Sequence, residues 1–251
     1  MKTVFFTLFL ILFFVGCAKT PVTNRTQLIF LSPKDEMALE LSESEKILKS
    51  SKISSDKRQT ERIRRIGQKI AAVSGHDEYQ WEFHLIDEPV LNAFCLPGGK
   101  VFFYQGIVDV AANDDQIATV MGHEIAHALA RHGAERMSHQ MLSNVGMQIL
   151  AAALEVPAEY QGLYAQAYGI GSQIGIMLPF SRSHESEADQ IGLYLMYKAG
   201  YNPYEAVAFW KQMKAMGGEK PPEFLSTHPS DDSRIKAIDA FIKELKTIPQ
   251  H

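Results

Sequence analysis

Cysteine is nearly absent: the 251-residue chain has two, Cys17 and Cys95. Cys17 closes an N-terminal apolar run, and if it is consumed there Cys95 has no partner, which excludes an internal disulfide. The core must rely on packing. Basic runs are missing as well. Lys and Arg number 25 against 29 Asp and Glu, mixed in sign along the chain, and the formal charge is −4, so nothing draws a phosphate backbone and no nucleic acid is expected. Repeats and low-complexity blocks are absent, and the length suits one sizeable domain. Beyond the N-terminus no apolar run reaches the length of a bilayer span. "VGMQILAAALEV" and "GIGSQIGIMLPF" each carry a glutamine and read as helices covering the core, with dipping into a membrane as the alternative reading of residues 142–180.

What is present begins with "MKTVFFTLFLILFFVGC": Lys2, an apolar run from Val4 to Val15 broken only by Thr7, then Gly16 and Cys17. This is a secretory signal. A small residue directly before cysteine resembles the bacterial lipobox, whose cysteine takes a lipid and becomes the mature N-terminus; Phe14 stands where such signals usually have leucine. Ala18 resembles the outer-membrane sorting pattern. The expected organisation is a signal peptide (1–16), a lipidated N-terminus and polar tether (17–30) and a single domain (31–251).

Ser32-Pro33 followed by acids opens one helix, and Ile63, Ile66, Ile70 and Val73 stripe a second that ends near Gly75. "YQWEFHLID" alternates as a strand, and "NAFCLPGGKVFFYQG" is two apolar runs joined by Pro-Gly-Gly. They predict a small, largely antiparallel sheet. From Asn113 onward the chain turns helical, and Gly122, Ala126 and Ala130 form a narrow face that another element can approach closely. Further helices are predicted from "HESEADQIGLYLMYKAG", from Asn202-Pro203 to Gly217-Gly218, and from Ser230 on. The fold class is α+β, mainly helical.

"TVMGHEIAHALARH" lies in the first of these late helices. Positions i and i+4 share a helix face, so His123 and His127 direct two imidazole nitrogens at one point, a spacing that suits tetrahedral zinc. Glu124 sits about 100° further round, badly placed as a ligand and well placed to take a proton from the attacking water. A catalytic zinc needs a third protein ligand. The extended metzincin pattern would require glycine at 130 and histidine at 133, where the chain has Ala130 and Gly133. The remaining donor is expected from "SRSHESEAD": Glu185 as third ligand, Asp189 one turn on to accept the outer N–H of a ligand histidine, and Glu187 pointing elsewhere. Cys95 reads as a packed small side chain, and His132 and His139 as solvent-facing.

"HEIAHALARH", "SRSHESEAD", "NAFCLPGGKVFFYQG" and "STHPSDDSRI" resemble the zinc peptidase family of the heat-shock protease HtpX, the type I CAAX prenyl protease, the mitochondrial Oma-type quality-control protease and the periplasmic BepA-type proteins, a likeness that covers nearly all of residues 25 to 245. The resemblance implies a gluzincin-type, zincin-like fold with one zinc on His123, His127 and Glu185, and Asp189 behind them. It implies that His228 approaches the zinc as a latch, or stabilises the oxyanion once displaced, with Arg234 a further oxyanion candidate or simply a helix-start arginine paired with an acid. It also sets the hairpin beside the zinc, with Asn92 and Gly99 as candidates for aligning a substrate strand. Without the transmembrane helices or helical repeats of other members, the chain resembles the compact lipoprotein members. Their implied work is cleavage of damaged or misassembled envelope proteins at the outer membrane, facing the periplasm, held to the membrane by the lipid on Cys17 and with room for an activating partner or assembly machinery. The competing expectation is a lipid-anchored chaperone or assembly factor whose zinc is structural and closed by His228.

Overall fold

A computed structural model describes residues 17–173, 177–216 and 223–245; residues 1–16, expected to be a signal peptide, and Gly217-Gly218 lie outside the described residues. α1 (Pro33–Ser50) starts as its residues require, the Ser32 hydroxyl accepting the Asp35 N–H at 3.2 Å and Pro33 occupying the first turn. α2 (Lys57–Ala71) starts on Asp56, whose carboxylate accepts the Gln59 N–H at 3.0 Å. Its stripe of Ile63, Ile66 and Ile70 is fully buried. Each such isoleucine contributes about 1.5–3 kcal/mol by leaving water.

The stripe covers a three-stranded sheet in the order β3–β5–β4, from β3 (Glu82–Ile86), β4 (Ala93–Leu96) and β5 (Lys100–Tyr104). β4 and β5 are the antiparallel hairpin expected over Pro97-Gly98-Gly99, whose two glycines have φ of +89° and +104°. β3 joins the other side of β5 in parallel, because the hairpin returns the chain in the direction β3 was already running. Val101, Phe102 and Phe103 on the central strand are completely buried.

The helices that follow are α3 (Gln105–Val110), α4 (Asp114–Leu129), α5 (His132–Ala153), α6 (Gln161–Ser172), α7 (Leu178–Lys198), α8 (Tyr204–Met216), α9 (Glu223–Thr227) and α10 (Asp232–Leu245). α4 runs through the centre, capped by Asn113, which accepts the Gln116 N–H at 2.9 Å, and it is buried on every side. The α+β, mainly helical class holds. On α10, Ile235, Ile238, Ile242 and Leu245 are buried and Phe241 packs half-buried against the same core.

Two expectations change. Residues 17–30 are not a free tether: β1 (Cys17–Lys19) and β2 (Thr26–Leu28) pair as a small antiparallel hairpin that lies on α5, with Gln27 and Ile29 buried and the Phe30 N–H donating to Ser138 Oγ at 2.9 Å. We call this segment the strap. Nor do the described residues of 142–173 cover the core, and residues 174–176 of the second apolar run lie outside the described residues. Leu142, Val145, Ile149 and Leu150 on α5, Leu154 just past its end and Leu163 on α6 are exposed. Apolar residues distributed all round a helix do not define one inward face, so composition overstated burial. Among the described residues, no helix is long and apolar enough to cross a membrane.

Candidate metal centre

The site forms where α4 crosses α7. A Cβ added to Gly122 would lie 2.8 Å from the Gly192 carbonyl oxygen, and one added to Gly192 would lie 2.8 Å from the Gly122 carbonyl carbon and the His123 nitrogen. Backbones meet there without side chains between them, on the narrow face expected from Gly122, Ala126 and Ala130. His123 and His127 on α4 thereby face Glu185 and Asp189 on α7. Residue 228, just beyond α9, completes the group: His123, His127, Glu185 and His228 turn one donor atom each toward a common centre, all within 4.8 Å of one another.

Donors about 2.1 Å from a tetrahedral ion are about 3.4 Å apart. Here Nε2 of His123 is 3.1 Å from Nε2 of His127 and 3.2 Å from Nδ1 of His228. Glu185 Oε2 lies 3.3 Å from His123 Nε2 and 3.0 Å from His228 Nδ1, and Glu185 Oε1 lies 3.4 Å from His127 Nε2. The spacing fits one tetrahedral ion, and a set of three imidazoles and one carboxylate suits zinc. The charges agree. Burial, aided by His123, holds His127 well below the ordinary imidazole range, so that it presents a lone pair. Burial would raise Glu185, but hydrogen bonds from His123 and His228 outweigh it and keep the carboxylate ionised.

Glu124 shares the helix but not the donor set. It is 2% exposed, its Oε1 has no hydrogen-bond partner, and His228 Nε2 lies 3.6 Å from that oxygen. Burial pushes its carboxyl up to about 7, reinforced by Glu185 and opposed by His228 and Arg234. That is the range a proton-transferring base needs at neutral pH.

Asp189 stands behind His123, its Oδ1 3.0 Å from Nδ1, near enough to bond but poorly aligned for it. Arg234 grips Asp189 with two bonds of 2.7 and 2.8 Å, donates to the Pro229 carbonyl at 2.8 Å, approaches Glu185 at 3.2 Å and lies 3.8 Å over the Trp210 ring. Its donors are occupied by acids and a carbonyl, which favours the acid-pairing reading over the oxyanion one. The hairpin candidates are also engaged. The Asn92 carbonyl accepts the Tyr104 N–H, the Gly99 carbonyl accepts the Glu82 N–H, and Gly99 is packed against Trp81, so both backbones already serve the sheet. Cys95, in β4, has its thiol raised well above the usual range by burial of the sulfur, which suits a packed side chain and not a nucleophile. Between α7 and α10 a cleft of about 340 Å³ reaches Glu185 and Arg234, with Leu193, Ile238 and Phe241 among its lining residues.

Residues 57–242 match the sequence profile of peptidase family M48. The chain belongs to that family. It is 39% identical to the mitochondrial metalloendopeptidase OMA1 of Schizosaccharomyces pombe over 184 residues, which are 72% of this chain and 52% of that protein. With human metalloendopeptidase OMA1 it shares 32% identity over 256 residues, 94% of this chain and 48% of the relative. With the Beta-barrel assembly-enhancing protease of Escherichia coli it shares 31% over 182 residues, 70% and 37%. The chain thus spans about half the length of the curated OMA1 relatives it matches or less. Membership in M48 agrees with the zincin-like class and with a metal held by a crossing of two helices.

One group was missed. His132, expected at the surface, is 1% exposed: its Nδ1 lies 2.9 Å from His127 Nδ1 and its Nε2 3.1 Å from Glu187 Oε2. Five residues along one helix would place it about 140° away from His127. The chain instead bends at Arg131, φ +54°, and returns the ring. Glu187 does point away from the metal donors, as expected, into a buried cluster with Arg25, Glu135 and His184. His184 Nε2 is 2.9 Å from Glu135 Oε2, and Arg25 donates to both Glu135 oxygens at 2.8 and 2.7 Å. His139 is half-buried.

Burial would raise the Glu135 carboxyl, but the Arg25 guanidinium and His184 hold it down at about 2. A carboxylate depressed in the fold stabilises it above the ordinary carboxylate pKa and loses that contribution as pH falls toward the depressed value. Glu135→Gln should therefore lower the urea midpoint at pH 6, and the two curves should converge between pH 4.5 and about 2. A difference independent of pH would show that the charge pair is not the cause.

Proposed function

We propose that this chain is a zinc-dependent endopeptidase in a self-closed state, and the observation that carries the reading is the tetrahedral spacing of His123, His127, Glu185 and His228 beside the buried Glu124 carboxyl, whose Oε1 accepts no hydrogen bond. Zinc bound there would polarise a scissile carbonyl and acidify water. Glu124, poised near neutrality, takes the proton of the attacking water and passes it to the departing amine. His228 occupies the fourth corner. A substrate therefore requires its departure, after which its ring is near enough to steady the developing oxyanion.

The short helix α9, which ends directly before His228, supports a latch. The Phe224 N–H donates to the Leu91 carbonyl at 3.0 Å, beside the edge strand β4, and the Phe224 ring stacks 5.7 Å from Trp210. An extended peptide adding to that edge competes with α9 for the same ground, so one movement would free both metal and strand. Strand addition is tolerant of side chains, which fits substrates that are damaged or misassembled proteins. The signal pattern, Cys17 and the names of the relatives support an outer-membrane lipoprotein facing the periplasm, acting on envelope proteins, with a partner that opens the latch.

A four-residue shell also favours a second reading, a structural zinc in a non-catalytic chaperone or assembly factor. The test is casein cleavage by zinc-loaded protein, wild type against His228→Ala. The latch predicts slow wild-type cleavage and a gain of about tenfold or more in the variant, since each 1.4 kcal/mol of closure is tenfold in the open population. A drop of about a hundredfold would instead make His228 a transition-state group. Zinc retained by both proteins with no cleavage by either would favour the structural reading.

A further inference from the structure

The outer nitrogen of His127 does not meet a carbonyl or carboxylate directly. It meets a second imidazole, which meets a carboxylate, which is held by the strap. Glu187, 5% exposed, accepts the Thr20 hydroxyl at 2.7 Å and the Thr23 hydroxyl on Oε1, and Arg25 Nε at 2.8 Å on Oε2. His184 stacks on His132 with ring centroids 4.0 Å apart and planes 10° apart, which leaves the His132 ring little freedom to turn.

The protons along this line have one satisfactory arrangement. For His127 Nε2 to offer a lone pair toward the donor cluster, its hydrogen must sit on Nδ1, where it points at His132 Nδ1. His132 then accepts there and carries its own hydrogen on Nε2, aimed at Glu187. In the reverse arrangement His132 Nδ1 would donate to His127, and an unprotonated His132 Nε2 would face a carboxylate oxygen at 3.1 Å, acceptor against acceptor. Glu187 therefore selects the tautomer of a ring two steps away, provided its own position is kept. Thr20, Thr23 and Arg25 keep it.

We infer that His132 and Glu187 are positioning residues for His127, and that the strap just after Cys17 is a structural part of the metal centre. This rests on the reading that the cluster holds zinc. Because both states of the strap must share one thermodynamic cycle, coupling is reciprocal: a docked strap tightens the metal, and bound metal tightens the strap. A force or partner acting on the N-terminal segment would then reach the metal without touching the active cleft.

Two measurements on the full chain test this. The first is zinc affinity by competition with a colorimetric chelator. Glu187→Ala and His132→Ala should weaken binding by about 10 to 100-fold, the usual loss for groups behind a ligand histidine. Thr20→Val with Thr23→Val, which keeps shape and removes both hydroxyls, should weaken it severalfold, whereas Thr20→Ser with Thr23→Ser, which keeps both hydroxyls, should leave it at the wild-type value. The second needs no variant. Backbone hydrogen exchange across residues 18–28 of the wild type should slow when zinc is added to the apo protein. Tight zinc binding that is unchanged in the variants, with strap exchange indifferent to zinc, overturns the coupling and leaves the metal reading intact. Failure of the wild type to bind zinc overturns both.

Discussion

Glu124→Gln is expected to abolish proteolysis and leave metal binding alone. In a His228→Ala background, where turnover is measurable, cleavage of casein should fall by about a thousandfold, within the range of about 10² to 10⁴ that a positioned acid–base group supplies. Zinc affinity should stay within a few-fold, because the four converging donors are His123, His127, Glu185 and His228 and do not include Glu124. The amide cannot accept the proton, yet it matches the carboxyl in shape and removes the cost of holding an ionisable group in a buried place. The thermal midpoint should thus be no lower than wild type, since burying an unsatisfied ionisable group costs about 1–3 kcal/mol. Lost turnover with an unchanged or higher midpoint would assign the acid at this position to function and not to packing. Retained turnover would remove Glu124 from the mechanism, and loss of zinc along with activity would make it a structural residue.

Gly192→Ala should damage the centre from outside it. The added methyl would sit 2.8 Å from both Gly122 C and His123 N, backbone atoms that cannot swing aside, so α7 has to move off α4. Overpacking of this kind costs about 1–3 kcal/mol, which in a domain of this size lowers the thermal midpoint by about 2–4 °C for each kcal/mol. Glu185 and Asp189 travel with α7, so the donor distances open and zinc affinity should drop with stability. Gly133→Ala is the control. It lies on α5 with nothing within 4 Å of an added Cβ, and there a glycine-to-alanine change in a helix should be neutral or stabilising by up to about 1 kcal/mol. Calorimetry and chelator competition on the two variants would check the contrast. Equal effects would mean that the crossing at Gly122 and Gly192 does not set the site.

These expectations separate what local spacing can specify from what it cannot. The i, i+4 pairs His123/His127 and Glu185/Asp189 were legible because a helix fixes which side chains share a face, whatever it later packs against. Asn113, Ser32 and Asp56 were legible as helix starts for the same reason, and the Pro-Gly-Gly turn because only glycine sits easily at positive φ. Gly122 was readable as a place of close approach, but its partner, Gly192, was not. Spacing says nothing about which faces meet.

Everything that depended on that meeting waited for the tertiary structure. The exposed apolar residues of α5 and α6 look like core by composition, and only the absence of a covering layer among the described residues shows them outside. The strap reads as a polar tether because Thr20, Thr23 and Arg25 are polar. Their function lies in a carboxylate more than 160 positions away. His132 was misread because periodicity assumes a continuous helix, and a single left-handed residue, Arg131, breaks it. The sequence by itself determined the chemistry of the centre, since donor type and helical spacing are local properties. The approach of His228 to the other donors, the burial of Glu124 and the tie to the strap were decided by packing, because each joins groups that only the crossing of α4 and α7 and the return of the chain ends bring together.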